Sequence, residues 1–152
     1  MRYILLLLIL ISTQSNAQLV ETKSFSITLP DELTVQTDKV SRILAFDKER
    51  NPFVNIEFGN GVYEQYSEIV SRVNETLATM GSVLSPKECG DGCESMYAQA
   101  KVEKEHLTFY FYFYVVKSTK HSFIISIASQ SAINSGDIEI TGIAKQILQS
   151  GK

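Results

Sequence analysis

Apolar residues recur along this chain with two periods, and the change from one to the other divides it into elements. Period two comes first. Phe25, Ile27 and Leu29 alternate with Ser24, Ser26 and Thr28 up to Pro30, which predicts a half-buried strand ended by proline. Ser41–Asp47 and Phe53–Gly59 read as two more strands, joined as a hairpin by the charged turn "DKERNP" with Asn51-Pro52 as breaker. Then the spacing lengthens. Val62, Tyr66, Ile69, Val73, Leu77 and Met80 follow one another at intervals of three or four, the stripe of one helix face. Glu64, Glu68, Ser71, Arg72 and Glu75 fall outside that stripe, and Gly81 supplies the stop.

Period two returns in the second half, which reads as a meander. Ser82–Lys87 predicts a short strand. After a cysteine loop, Met96, Ala98, Ala100 and Val102 share one face of the next strand and Tyr97, Gln99, Lys101 and Glu103 the other. The strand after that, "HLTFYFYFYVV" from His106, alternates Phe109, Phe111 and Phe113 with Tyr110, Tyr112 and Tyr114. A tight turn at Lys104-Glu105 predicts Ala100 opposite Phe109, Ala98 opposite Phe111 and Met96 opposite Phe113. Large then meets small on one face, so the phenylalanine side is expected to be core. The same register sets Tyr97 beside Tyr112 and Gln99 beside Tyr110. "KSTK" turns the chain into a last strand within His121–Ser129. The stretch from Ser135 to Ser150 predicts a closing helix, capped by Ser135 or Asp137, with Ile140, Ile143, Ala144, Ile147 and Leu148 on its apolar face.

The tyrosine side is the open question. Tyr97, Tyr110, Tyr112 and Tyr114 form a candidate binding surface, because tyrosine is enriched where proteins meet. The alternative is that a helix covers them. One countable feature separates the two. A two-residue turn at Ser118-Thr119 pairs Tyr114 with Phe123 and brings Ile125 and Ile127 onto the tyrosine face, which is then too apolar to leave wet. An odd loop puts Ile124, Ser126 and Ala128 there instead and leaves a docking surface.

The N-terminus changes the compartment rather than the fold. Met1-Arg2-Tyr3, the apolar run Ile4–Ile11 and small residues at Ser15 and Ala17 have the form of a secretory signal peptide over residues 1–17. The run is far shorter than the roughly 20 residues a membrane-spanning helix needs, so no stable anchor is expected after cleavage. Residues 18–152 are expected to form a single globular domain, exported, and periplasmic if the source is bacterial. The formal net charge of −3, with no basic stripe, argues against nucleic acid and membrane surfaces as partners.

In such a compartment the two cysteines of "CGDGC", Cys89 and Cys93, predict a disulfide across a hairpin, with Gly92 in a left-handed conformation. A redox motif at a helix start has a different spacing, and a metal site would need ligands beyond Asp91. Neither a metal nor a cofactor is expected.

Convergent catalytic groups are not found. His106 and His121 sit at the two ends of one predicted strand, on the order of 35 Å apart at about 3.4 Å per residue, and each reads as a surface histidine near a turn. "EFGNGVYE" holds a G-x-G before a helix but lacks the rest of a nucleotide fingerprint, and no G-x-S-x-G elbow occurs. Asn74-Glu75-Thr76 matches a glycosylation sequon, but on a helix. No catalytic residue is assigned, and the chain is not expected to be an enzyme.

The order of elements, with "FSITLP" at Phe25–Pro30, the long helix, the meander and the closing "ITGIAKQIL", resembles the PsbP-like family, whose bacterial relatives include DcrB-type envelope proteins. The chain departs from that pattern in having no tryptophan after the proline and in carrying the cysteine hairpin. The resemblance implies an α+β fold, an α/β/α sandwich with helices packed on an antiparallel sheet of about six strands. It also implies a non-enzymatic binder. Three functions follow as expectations: a protein-binding envelope accessory or assembly factor, an immunity-type inhibitor of a secreted toxin, or a small-ligand carrier or enzyme.

Overall fold

In the computed structural model, which describes residues 17–133 and 139–150, the chain is α+β. Nearly all of the expected signal segment, residues 1–16, and the two candidate caps Ser135 and Asp137 lie outside the described residues.

A hairpin of β1 (Ala17–Glu21) and β2 (Ser26–Pro30) comes first and forms a two-stranded sheet of its own. Then β3 (Thr34–Thr37), β4 (Arg42–Phe46) and β5 (Phe53–Phe58) build an antiparallel meander. Two helices follow, α1 (Asn60–Glu64) and α2 (Tyr66–Ala78), and carry the chain to the far edge. There β6 (Ser85–Pro86), β7 (Cys93–Lys104), β8 (Leu107–Ser118) and β9 (Phe123–Ser129) meander back until β9 lies antiparallel to β5. The result is a seven-stranded antiparallel sheet in the order β3-β4-β5-β9-β8-β7-β6, followed by α3 (Ile140–Gln149). The strand count exceeds the expected six. The additional member of the sheet, β3, has one apolar residue in four, so its alternation carries almost no signal.

Side chains alternate across the sheet, so each face has its own core. On the tyrosine face Ile43, Val54, Ile56, Phe123, Ile125 and Ile127 are at most 1% exposed. They are covered by Ile27 and Leu29 of β2 and by Ile140, Ile143, Ala144 and Ile147 of α3. Full burial of each such side chain contributes about 1.5–3 kcal/mol. On the phenylalanine face a smaller cluster joins Ala98, Ala100 and Val115 to Val62, Ile69, Leu77 and Leu84, with Phe111, Phe113 and Met96 packed around it. The stripe at helical spacing is therefore the buried stripe. The helix itself breaks at Gln65, whose φ of −105° and ψ of 14° are not helical. Gly81, at φ 71°, ends it, with the Ser82 N–H donating to the Leu77 carbonyl and the Gly81 N–H to the Ala78 carbonyl.

The β7–β8 register differs from the expected one by two residues. The turn is Glu105-His106, with φ of 50° and 69°, the backbone of a two-residue hairpin loop of the primed type. Ala100 therefore faces Phe111, Ala98 faces Phe113 and Met96 faces Val115. A shift of two keeps every side chain on its face, so alternation alone could not separate the two registers. Small-against-large matching survives one step along, with Val102 meeting Phe109.

The cysteine loop continues the β6–β7 register. Ser85 pairs with Tyr97 and Pro86 with Met96, and the Lys87 N–H then donates to the Ser95 carbonyl at 3.0 Å. That count brings Cys89 opposite Cys93, and the two are joined by a disulfide with Cα atoms 5.8 Å apart. Gly90 and Gly92 inside it have φ of 100° and 69°, values that favour glycine.

Candidate functional site

The β8–β9 connection decides what the tyrosines face. Val116 pairs with Phe123, Tyr114 with Ile125 and Tyr112 with Ile127, so the loop is even and centred on Thr119-Lys120, one step beyond Ser118-Thr119. The isoleucines share the tyrosine face, and α3 and the β1–β2 hairpin cover it. Tyr112 is 6% and Tyr114 4% exposed. Their phenols are satisfied inside: Tyr112 accepts from the Ile133 N–H at 3.1 Å, and Tyr114 shares a 3.2 Å hydrogen bond with Ser95 Oγ. Of the four candidate tyrosines, these two belong to the core.

Tyr97 and Tyr110 lie at the rim, half-buried. Tyr97 packs edge-on against Tyr114 at 6.2 Å, with Lys87 Nζ 5.9 Å from its ring centroid. Burial first, and the nearby Tyr112 second, raise the pKa of its phenol.

The histidines part company in the same way. His106 is exposed at the hairpin tip, as expected. His121 is 6% exposed instead of lying on the surface. Its ring stands edge-on to Phe25 at 6.2 Å, and its Nε2 is 2.9 Å from the Ser150 carbonyl, which requires the proton on Nε2. Asn74 of the sequon is half-buried and accepts the Leu84 N–H at 2.8 Å, tying the end of α2 to the following segment.

A different surface is left open. The register across β4, β5, β9 and β8 aligns Phe46, Phe53, Ala128 and Phe111 in one row and Leu44, Asn55, Ser126 and Phe113 in the next. The helix α2 packs over the β8 ends of both rows. Toward β4, Leu44, Phe46, Phe53 and Phe109 belong to neither core cluster among the described residues, and each is half-buried. Phe46 and Phe53 stack at 6.2 Å with 19° between their planes. The Arg50 guanidinium lies 5.7 Å from the Phe46 centroid. Leu107, 49% exposed, extends the same face along β8.

A polar row borders this patch. Arg42 Nε donates to Asn55 Oδ1 at 2.9 Å, and Asn55 Nδ2 donates to Glu57 Oε1 at 3.1 Å. The Arg42–Glu57 ion pair, at 3.7 Å and half in water, holds the side chains in place more than it stabilises the fold. Such a surface can bury apolar area and offer a guanidinium. It brings no nucleophile up to a base. The sequence signal for it was present: Leu44 and Phe46 make β4 apolar on both faces, although a strand with one wet face needs only Ile43 and Ala45.

Among the described residues no helix is long and apolar enough to cross a membrane. Nor does any group of three or more His, Cys, Asp or Glu there gather as metal ligands do.

Comparison with known proteins gives little. No protein-family model matches the chain, and no curated protein matches it. Among solved structures it is similar to a protein from Bacteroides thetaiotaomicron VPI-5482, at 14% identity and a TM-score of 0.48. The match covers 90% of this chain and 46% of that one, so the chain spans less than half the length of that protein.

Proposed function

We propose that this chain is an exported, non-enzymatic protein-binding module, an envelope accessory or assembly factor, that docks its partner on the open half of the phenylalanine face. One observation carries the reading: the stacked pair Phe46–Phe53 with Arg50 over it, both phenylalanines outside the two core clusters of the described residues. Aromatic and arginine side chains dominate binding hot spots, and a polar rim that excludes water commonly surrounds them. The partner is a protein presenting an apolar surface with a carboxylate or carbonyl group to meet Arg50. The signal-like N-terminus supports the exported compartment, and the PsbP-like order of elements supports the binding class.

The test is site-specific photocrosslinking from position 53 in the cells that make the protein, followed by affinity measurement with the partner so identified. Phe46→Arg and Phe53→Arg, each still folded at the assay temperature, should weaken binding at least tenfold. Unchanged affinity in both variants removes this surface from the reading. A crosslinked partner that is a secreted toxin, neutralised by the wild-type chain, replaces the envelope role with that of an immunity protein.

A further inference from the structure

Three loops meet at the end of the sheet where β5 stops and β9 starts: the β1–β2 turn, the β5–α1 junction and the β8–β9 loop. Between them lies a cavity of 330 Å³ lined by Ser24, Phe25, Phe58–Asn60, Tyr63 and Ser118–Ser122. That volume is at the lower end of the small-molecule range of about 300–1,000 Å³. The floor is aromatic and buried. Phe25 and Phe58 meet edge to face at 4.8 Å, with the His121 ring beyond Phe25.

Two of the loops are braced by their own hydrogen bonds. Thr22 Oγ1 accepts the Phe25 N–H at 3.0 Å and donates to the Phe25 carbonyl at 2.8 Å. Ser122 Oγ accepts the Ser118 N–H at 2.9 Å and donates to the Ser118 carbonyl at 2.6 Å. The Gly59 N–H donates to the Ser122 carbonyl at 3.0 Å and ties two of the loops together. Loops held this way need little ordering when something binds, and that ordering is a main cost of binding.

The rim supplies the polarity. Asn60, Tyr63, Thr119 and Lys120 are all exposed around the mouth. Among the described lining residues Lys120 is the one charged at neutral pH once His121 is held neutral by burial, and none is a carboxylate. In a chain with 17 acidic residues against 14 basic ones, this is a local reversal of sign.

From the aromatic floor, the braced loops and the Lys120 ammonium we infer that the cavity binds a small organic anion, an apolar body carrying one carboxylate or phosphate. The apolar part lies on Phe25 and Phe58. The anionic group meets Lys120, with the Asn60 amide and the Tyr63 phenol as further donors. This site uses none of the residues of the docking patch, so the two stand or fall separately.

The inference is tested on the full purified chain by titrating phenylacetate, octanoate and phenyl phosphate while following backbone amide resonances. The neutral 2-phenylethanol and the cationic phenethylamine serve as controls. At least one anion should shift the amides of Gly59, Asn60 and Thr119–Ser122 saturably, with a Kd below about 10 mM, and the amine should not. Lys120→Gln, with an unchanged melting temperature, should weaken that binding about tenfold or more, the worth of one charge-assisted hydrogen bond. Lys120→Arg should restore most of it. Shifts confined to other residues, equal binding of the amine, indifference to Lys120→Gln, or no saturable shift with any anion would each overturn the inference.

Discussion

The distinction between a covered tyrosine face and an open phenylalanine patch has a direct energetic consequence. Consider Tyr112→Ala beside Phe53→Ala, two aromatic truncations on opposite faces of one sheet. Tyr112 is 6% exposed and belongs to the large core, while Phe53 is half-buried and outside both clusters. An aromatic side chain buries about 150–250 Å², and at about 25 cal/mol per Å² full burial contributes roughly 4–6 kcal/mol. Truncating Tyr112 keeps the β-carbon but leaves a cavity, which places the loss at about 3–5 kcal/mol. The Ile133 N–H, which donates to the phenol at 3.1 Å, loses its acceptor and adds about 1 kcal/mol. Phe53 exposes part of its ring already and opens no enclosed cavity, so its removal should cost at most about half as much.

Urea unfolding under non-reducing conditions reads the difference. With a slope of about 1–3 kcal/mol per M, Tyr112→Ala should lower the midpoint by roughly 1.3 M or more, and Phe53→Ala by at most about half of the shift seen for Tyr112→Ala. Tyr112→Phe, which keeps the ring, should lose only the hydrogen-bond part, about 1 kcal/mol. Costs for the two alanine variants within about 1 kcal/mol of each other, or in reverse order, would refute the assignment of faces, whatever the fate of the binding proposals.

Three further outcomes can be checked in the same assay. Removing the Cys89–Cys93 crosslink by the double change to serine frees a loop of sequence separation 4. Chain entropy alone makes that worth about 2 kcal/mol, and an unchanged midpoint would show that the loop holds its shape without the bond. Asp38 Oδ1 accepts the N–H groups of Val40, Ser41 and Arg42, and its Oδ2 accepts the Ser41 hydroxyl. Its pKa is held well below the ordinary 3.8, first by the Ser41 hydroxyl and then by the backbone donors. The wild-type advantage over Asp38→Asn should be full above pH 3.8 and fade as pH falls through the lower folded value. The His121 pKa is lowered from 6.5, chiefly by burial. Below that pH the unfolded chain takes up a proton that the folded one refuses, so wild-type stability should fall faster than that of His121→Gln on acidification from about pH 8 to about pH 5. Parallel curves would show that His121 titrates alike in both states.

Much of the fold is legible because its strongest elements are long and periodic. The stripe from Val62 to Met80 buries one helix face, and the alternation in β7, β8 and β9 sorts side chains between the two cores, so pattern specifies which side chains share a face. Parity is all that pattern specifies in a hairpin. The β7–β8 turn moved by one position at each side without turning any side chain over, and the Glu105-His106 loop carries no glycine or asparagine to mark it. The strands that escaped, β1 and β3, are five and four residues long. They are held by pairing with neighbours rather than by an alternation of their own.

The candidate site was harder to read for a reason of the same kind. Tyrosine composition suggested an interface, yet composition is silent on what packs above a sheet, and the even β8–β9 loop sends Tyr112 and Tyr114 under α3. What exposes a surface here is an imbalance between the two halves of the chain. The tyrosine face is covered from β4 to β8 by the β1–β2 hairpin and α3, while among the described residues the helices on the phenylalanine face are α1 and α2, whose apolar stripe packs on β7, β8 and β9. The β4–β5 hairpin is thus left with apolar residues outside both of those clusters. Leu44 and Phe46 beside Ile43 and Ala45 state that imbalance within four consecutive residues. A strand apolar on both faces, where the described helices cover only part of one of them, is a more specific pointer to a docking surface than any count of tyrosines.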